Sequence, residues 1–285
     1  MKASRRPAHG LVKAATPQAC RGNGRCYTDV MTRGADDDLF PWRVEEACAN
    51  AYPAWREVLL DGWMLRAAGG ASRRINALSP LGPLAADPAR IMGEAAAIYG
   101  RLGMPVRFRV PSLLPAAAET LDRHGFTADG TVLTLMREAL PRSGPDAVDI
   151  QADPHQGWFA AWAACRPEAD APTMTAFRQA VDGLAVPAAF LIRHVEGQAA
   201  AVAYVAAHRG IAVLEAVVTH PAQRRRGHGQ ALVDAAAYWA ARAGALSLCL
   251  QVTAENAPAR SLYNGLGFRR ELYRYDYWTA PHPTG

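Results

Sequence analysis

The segment 219–230 constrains the fold of this 285-residue chain more than any other part of it. It follows an apolar, β-branched run that ends at Val217-Val218-Thr219, and it precedes a helical pattern. Gly227 and Gly229 let the backbone turn tightly and approach a ligand without a Cβ atom in the way. Amides at the start of a helix are unpaired and carry partial positive charge, so the loop is expected to bind a phosphate group.

Two common phosphate-binding patterns do not fit this loop. A Walker A motif needs Lys and a hydroxyl residue after its second glycine, and Gly229 is followed by Gln230. The dinucleotide fingerprint needs a third glycine or alanine where this chain has Leu232. The pattern that remains is Arg-x-x-Gly-x-Gly, formed by Arg224, Gly227 and Gly229. A solvated turn rich in arginine and glycine is the alternative interpretation.

A second motif lies downstream, after a β-type run at 248–252. It contains an Asn, an Ala three residues later, a Leu-Tyr pair and a terminal Gly-Phe; these are Asn256, Ala259, Leu262-Tyr263 and Gly267-Phe268. Taken alone, Tyr263 is best explained as a half-buried aromatic that anchors a short helix. Together, the two motifs resemble those of the GCN5-related N-acetyltransferase (GNAT) superfamily.

The resemblance implies an α/β fold with a mixed sheet, the acyl-CoA N-acyltransferase fold, in which two neighbouring strands splay apart around the cofactor. Periodicity and turn residues agree with it. The predicted elements of this region are a strand at 148–150, helices at 154–165 and 173–184, an antiparallel meander at 188–195, 199–208 and 211–219, a helix at 230–243, a parallel strand at 246–252, a helix at 257–265 and a strand at 269–279.

The first half of the chain repeats part of this plan. A strand at 105–110, a helix ending at Gly125-Phe126 and a strand at 131–136 parallel the region 246–279, with Gly125-Phe126 matching Gly267-Phe268. This register places Leu121 opposite Tyr263 and Leu114 opposite Asn256. No Arg-x-x-Gly-x-Gly precedes the helix predicted at 88–102. Segments 62–66 and 72–78 also resemble tandem acetyltransferase-like proteins, so two copies are expected. An unrelated α/β cap is the alternative for 42–138.

Three segments are predicted: a disordered extension at 1–38, a degenerate GNAT-like domain at 39–140 and a catalytic domain at 147–285, with a linker at 141–145. Met31 is an alternative start. The five cysteines form no metal-type spacing and are odd in number, so neither a metal site nor a disulfide framework is expected. Cys20 and Cys26 as a metal pair is the minor alternative.

Composition excludes several functional classes. No apolar run approaches the ~20 residues that cross a bilayer, and the N-terminus lacks the apolar core of a signal peptide, so a cytoplasmic protein without membrane partners is predicted. The net charge of +5 would suit a nucleic-acid-binding protein. The basic residues are scattered outside the loop, however, and an anionic cofactor explains its arginines better. We expect a monomer or homodimer.

The resemblance implies acetyl-CoA as the co-substrate and Tyr263 as the acid that protonates the coenzyme A sulfur. Strand amides near Thr219 would bind the pantetheine arm, and loop amides would bind the pyrophosphate. The predicted cofactor-binding residues are Val217, Val218, Thr219, Arg224, Arg225, Arg226, Gly227, His228, Gly229, Gln230, Asn256 and Arg260.

The acceptor is expected to be a primary amine on a small molecule or a peptide. Glu215 is the candidate general base, and by strand alternation it would share a face with Val213 and Val217; pairing with an arginine is the alternative. Gln251, on the next strand, cannot take a proton. His220 and His228 are expected to be exposed bystanders, and His155 and Glu255 have no geometric support.

Aromatic residues could line the acceptor pocket, although burial in the core is favoured for them; they are Trp158, Trp162, Phe177, Tyr204, Tyr273, Tyr275, Tyr277 and Trp278. If the first half packs against the second, it would close the acceptor side. A non-catalytic acyl-CoA sensor, or a transferase for another acyl group, is the alternative function.

Overall fold

The computed structural model describes residues 35–137 and 147–281. The first half contains α1 (Ala35–Ala51), β1 (Glu57–Leu60), β2 (Trp63–Arg66), β3 (Leu78–Pro80), α2 (Met92–Arg101), β4 (Arg107–Pro111), α3 (Pro115–Arg123) and β5 (Thr127–Arg137). The second half contains β6 (Asp149–Gln151), α4 (Gln156–Cys165), α5 (Ala171–Asp182), β7 (Ala188–Val195), β8 (Gln198–His208), β9 (Ile211–Thr219), α6 (His228–Arg242), β10 (Ser247–Thr253), α7 (Ala257–Gly265) and β11 (Arg270–Thr279).

The described strands form one sheet in the order β1-β2-β3-β4-β11-β5-β10-β9-β8-β7-β6. The pairs β3/β4 and β9/β10 are parallel, and the remaining neighbours are antiparallel. This confirms the mixed α/β fold. Residues 1–34 and the predicted linker at 141–145 lie outside the described part of the chain, and α1 begins at Ala35, inside the segment predicted to be disordered.

The two halves exchange strands at the centre of the sheet. β5, from the first half, pairs with β10 and β11 of the second half. β11, the last strand, pairs in turn with β4 of the first half. Each half therefore completes the other's sheet, an arrangement that the predicted domain boundaries do not convey.

The exchange follows an internal repeat. Gly125 and Gly267 are 142 residues apart, and the same offset carries α3 onto α7. The offset also relates two neighbouring pairs of the β5/β11 ladder: Leu133 corresponds to Tyr275, and the partner of Leu133, Arg274, corresponds to Val132, the partner of Tyr275. Such an exchange is expected for a pseudo-twofold axis between β5 and β11. The register predicted from the two Gly-Phe pairs therefore agrees with the structure.

Turn residues explain why the meander folds as predicted. β7 and β8 are joined by Glu196-Gly197, and β8 and β9 by Arg209-Gly210, and all four residues have positive φ. Two consecutive residues with positive φ are typical of the type I′ turn, whose twist matches that of a hairpin. Glycine adopts this conformation at no steric cost, and it occupies the second position in both turns.

Helix α1 packs mainly against the opposite half, on β8 and β9. Its Cys48 and Ala51 lie in an apolar cluster with tyrosines of β11. Its Glu45 makes a two-pronged ion pair with Arg109 of β4, with N–O distances of 2.6 and 2.7 Å. In the described residues, no helix combines the length and apolarity needed to cross a membrane.

Candidate active site

The site is built where β9 and β10 separate. The two parallel strands are paired from Ile211 and Ser247 as far as Leu214 and Leu250. Beyond that point β9 continues along β8 and β10 continues along β5, so the two strands diverge. A wedge-shaped gap therefore opens at their carboxyl ends, as the predicted fold requires.

A β-bulge shapes the β9 side of this gap. The pairing with β8 shifts between Glu215 and Val218, and Ala216 has φ +52°. The extra residue reverses the alternation, so that Val217 packs into the cluster under α6 while Ala216 and Val218 face the opposite side of the sheet. The prediction that Val217 shares a face with Glu215 is therefore wrong, since simple alternation does not survive a bulge.

The two loop glycines are needed for different reasons. Gly227 has φ +81°, and it is the residue from which α6 starts. A Cβ on Gly229 would lie 3.0 Å from the Leu262 side chain of α7, so this glycine allows the two helices to approach each other. Arg225 also has positive φ, which is strained for a residue with a side chain.

The start of α6 is suited to an anion. The first amides of a helix have no intrahelical acceptor, and those of His228, Gly229 and Gln230 occupy that position. The Arg224, Arg225 and Arg226 side chains are exposed around it. Such a loop can bind a pyrophosphate through amides, helix dipole and guanidinium groups together.

Two histidines near the loop differ from each other. His228 was expected to be exposed, but it is buried, because its side chain begins the inward face of α6. Burial lowers the pKa of His228, and the charges of Arg193 and Arg226 lower it further, which favours a neutral ring. His220 remains partly exposed and accepts a hydrogen bond from the Ala222 amide.

Helix α7 follows β10 and approaches α6 at Leu262. The Asn256 side chain caps it by accepting a hydrogen bond from the Ala259 amide, at 3.1 Å. Arg260 donates to the Ala254 carbonyl, at 2.8 Å. Tyr263 is buried against Phe268. Burial raises the pKa of Tyr263 to about 12, and the negative charge of Glu215 contributes to this increase.

Glu215 and Gln251 are the first residues beyond the last paired positions of β9 and β10. Arg74, from the first half, contacts both of them: 2.6 Å separates its guanidinium from the Glu215 Oε2 atom and also from the Gln251 Oε1 atom. The predicted alternative, an arginine partner for Glu215, is what the structure has. The pattern at 72–78 gives no role to Arg74, because its contact with Glu215 joins residues 141 positions apart.

A cavity of about 310 Å³ adjoins Glu215 and receives walls from both halves. Tyr52 and Ser72 come from the first half, and Trp162, Phe177 and Tyr204 come from the second. These three aromatics line the cavity and are also buried in the core. Trp158 is wholly buried and Tyr273, Tyr275 and Tyr277 pack against α1, consistent with a core role.

Residues 42–278 match the model of a protein family described as "Probable histone acetyltransferase Rv0428c C-terminal". The match covers most of the chain. The chain belongs to this family. It is also similar to the uncharacterised N-acetyltransferase YobR of Bacillus subtilis, with 23% identity over 236 residues that cover 79% of this chain and 93% of the relative.

Solved structures agree with this membership at the level of the fold. A GCN5-related N-acetyltransferase from Kribbella flavida has a TM-score of 0.62 and 18% identity, covering 85% of this chain and 96% of its own. A tandem GNAT protein from the clavulanic acid biosynthesis pathway has a TM-score of 0.58 and 15% identity, covering 90% and 97%. By family the chain is an acyltransferase, and its fold is that of GNAT proteins, including a tandem one.

Proposed function

We propose that this protein transfers the acetyl group of acetyl-CoA to a primary amine. The observation that carries the proposal is the gap between β9 and β10, which opens at Glu215 and adjoins the glycine loop that follows β9. The loop suits a pyrophosphate, Glu215 supplies a carboxylate, and Tyr263 of α7 would be the proton donor.

The donor would bind in an extended form. Amides of the first turn of α6, beginning at His228, would hold the pyrophosphate. The bulged end of β9 at Val217, Val218 and Thr219 would bind the pantetheine arm as an added strand. Asn256 and Arg260 would contact the donor from α7, in addition to their capping contacts.

The reaction requires a neutral amine nitrogen. An aliphatic amine is mostly an ammonium ion at neutral pH, so it first releases one proton to solvent beside Glu215. The nitrogen then attacks the thioester carbon, a C–N bond forms, and the C–S bond breaks. The Tyr263 hydroxyl gives its proton to the leaving sulfur, and the second proton lost by the nitrogen returns to the Tyr263 oxygen through solvent.

The raised pKa of Tyr263 determines how its hydroxyl can donate a proton to the leaving sulfur. At about 12 the hydroxyl is protonated throughout the neutral range and can donate. A thiol with an ordinary pKa of ~8.5 is the stronger acid. Donation from Tyr263 to the sulfur is therefore unfavourable on its own, and it proceeds because the attacking nitrogen becomes acidic as the C–N bond forms and its proton restores the tyrosine. This is general acid catalysis coupled to bond cleavage.

The acceptor would enter the cavity beside Glu215. A primary amine could approach this carboxylate while its remaining atoms contact Trp162 and Phe177. The matching family is described as histone acetyltransferases, so a lysine side chain is one candidate acceptor. A small amine with an apolar body is the other, because four aromatic residues line the cavity: Tyr52, Trp162, Phe177 and Tyr204.

Two measurements test this proposal. Acetyl-CoA should raise the melting temperature, since a ligand that prefers the folded state stabilises it. Free-thiol release should then depend on an amine, tested with a lysine-rich peptide, Nα-acetyl-lysine amide and phenethylamine. Binding of acetyl-CoA without amine-dependent turnover would favour an acyl-CoA sensor, and a preference for a longer acyl-CoA would favour another donor.

A further inference from the structure

Arg74 is supplied by the half of the chain that has no glycine-rich cofactor loop, yet it reaches the site in the other half. It lies in a short 3₁₀ turn, Arg73–Ile75, between β2 and β3. Its side chain packs with the guanidinium carbon 4.7 Å from the centre of the Tyr52 ring. From there it contacts Glu215 and Gln251, each at 2.6 Å.

The contacts of Arg74 lie at the point where β9 and β10 separate. Glu215 and Gln251 follow directly after Leu214 and Leu250, the last pair joined across β9 and β10. The guanidinium therefore spans the two strands at the apex of the gap. A bidentate donor with fixed planar geometry sets the spacing and the orientation of both side chains at once.

Arg74 engages only part of each partner. The Glu215 Oε1 atom and the Gln251 Nε2 atom are buried and have no hydrogen-bond partner among the described residues. Glu215 is itself 7% exposed, and both Glu215 and Arg74 line the cavity shared by the two halves. A buried acceptor without a partner is costly, so Oε1 is suited to receive an N–H group from a bound molecule.

The electrostatics of the pair favour a fixed carboxylate. Although burial opposes it, the negative charge of Glu215 holds the pKa of the Arg74 guanidinium well above its ordinary value. Arg74 therefore stays charged and keeps its ion pair with Glu215. The Glu215 oxygen that Arg74 does not contact is left to accept a hydrogen bond from an amine.

We propose that Arg74 is a positioning residue for the amine acceptor: it fixes Glu215 so that the free Oε1 atom receives an N–H of the attacking amine. This inference rests on the proposed acetyl transfer. It gives the first half a role in the chemistry of the second, and it identifies the cavity between the halves as the acceptor site.

Steady-state kinetics of Arg74→Gln, Arg74→Lys and the control Arg73→Gln test this proposal with the amine panel above. Arg73 is adjacent, is also an arginine, and pairs instead with the exposed Asp129. Arg74→Gln should lower kcat/KM for the amine about 10- to 100-fold, the effect of losing a charge-assisted hydrogen bond. Arg74→Lys should recover part of the loss, while Arg73→Gln should stay near wild type.

Further measurements separate positioning from folding. The dissociation constant of acetyl-CoA and the acetyl-CoA-induced shift in melting temperature should be unchanged in Arg74→Gln. In a Glu215→Gln background, Arg74→Gln should add little, because it acts through Glu215. Equal losses of acetyl-CoA binding and amine kcat/KM would identify a structural role and overturn the inference.

The same kinetics distinguish failure of the positioning role of Arg74 from failure of the proposed acetyl transfer. If wild type transfers acetyl groups and Arg74→Gln matches it in kcat/KM for every amine, the positioning role is wrong and the proposed function stands. If wild type binds acetyl-CoA but acetylates no amine in the panel, both are overturned.

Discussion

The two halves share a strand-helix-strand repeat, but the helices that precede this repeat, α6 in the second half and α2 in the first, begin differently. In the second half, α6 starts from Gly227 with exposed arginines around its free amides. In the first half, a short turn at Pro88–Arg90 precedes α2, and the Asp87 carboxylate accepts the Ala89 amide at 3.0 Å. An anion is attracted to the start of α6, whereas the Asp87 carboxylate caps the turn that leads into α2 and would repel an anion there.

The partner helices differ in the same way. At the 142-residue offset, Asn256 of the second half corresponds to Leu114, and Tyr263 corresponds to Leu121. Leu121 is completely buried in the apolar cluster of the first half, and its side chain has no proton to donate. The proposed chemistry therefore depends on a few positions, while the shared strands preserve the fold around them.

The largest difference between the halves should appear at Tyr263. Tyr263→Phe removes the proton donor and keeps the buried ring, so kcat should fall by about 10²- to 10⁴-fold with little change in acetyl-CoA affinity. The matched change Leu121→Met in the first half should leave kcat near wild type. Thiol-release kinetics measure both variants, and an unchanged kcat in Tyr263→Phe would exclude the proposed acid.

The ion pair that holds α1 to β4, within the first half, should contribute strongly to stability. Burial alone would raise the pKa of Glu45, but the Arg109 guanidinium outweighs it and the pKa lies below its ordinary value. Glu45→Gln leaves Arg109 buried without its counter-charge and should cost about 3–5 kcal/mol of unfolding free energy. Glu46→Gln, at an exposed pair with His208, should cost less than about 1 kcal/mol.

Urea unfolding followed by fluorescence and circular dichroism measures both glutamate variants. A single coincident transition is expected, because the strands of the two halves alternate at the centre of the sheet. Two separated transitions in wild type would show that the halves are less coupled than the strand exchange implies.

A glycine-to-alanine substitution should have different effects in the loop before α6 and in the loop after β3. Gly227→Ala places a Cβ in the left-handed region, at a cost of about 1–2 kcal/mol, and should weaken acetyl-CoA binding about tenfold. Gly82→Ala, in the loop after β3, has ordinary φ and open space around the new Cβ. It should leave the dissociation constant, measured by calorimetry, unchanged. Equal effects at the two sites would mean that the backbone of Gly227 is not required.

Asn256 offers a finer comparison with Leu114, which provides no side-chain cap to α3. Asn256→Ala should lower the unfolding free energy by about 1 kcal/mol through loss of the cap. Asn256→Asp keeps a capping oxygen and should restore stability while still binding acetyl-CoA more weakly, because a carboxylate repels the phosphates. If Asp restores both stability and affinity, Asn256 acts only as a cap.

The smallest effect is expected from pH. Because the pKa of Tyr263 is raised to about 12, its hydroxyl stays protonated below that pH, and the acid should be lost only as pH rises toward 12. The kcat profile should therefore show no alkaline decline between about pH 8 and 10, the range in which an ordinary phenol with a pKa of ~10 begins to ionise. Circular dichroism over the same range checks that the protein remains folded.

Local signals in the sequence predicted much of the second half. β7, β9 and α7 begin and end at the predicted residues, because hairpin turns and a capping asparagine mark their ends. The parallel strand β10 and the glycine loop were also anticipated. These features depend on nearby residues, and nearby residues are what periodicity reports.

Features that depend on distant partners were missed. Helix α1 was not predicted, because Pro41 and a short acidic run obscure its pattern and its buried face is covered by the other half. The bulge at Ala216 has no sequence signal, since alanine rarely adopts positive φ. The repeat predicted strands β5 and β11 but could not show that each would insert beside the other half's strands.

The exchanged strands also affect the order in which the chain can fold during synthesis. β4 has β11 as its antiparallel neighbour, and β5 lies between β10 and β11, so the first half lacks these partners until the final strand has been made. Unpaired strand edges are prone to mispairing in a growing chain. The last ten residues of the sheet, Arg270–Thr279, therefore close both halves in one late step.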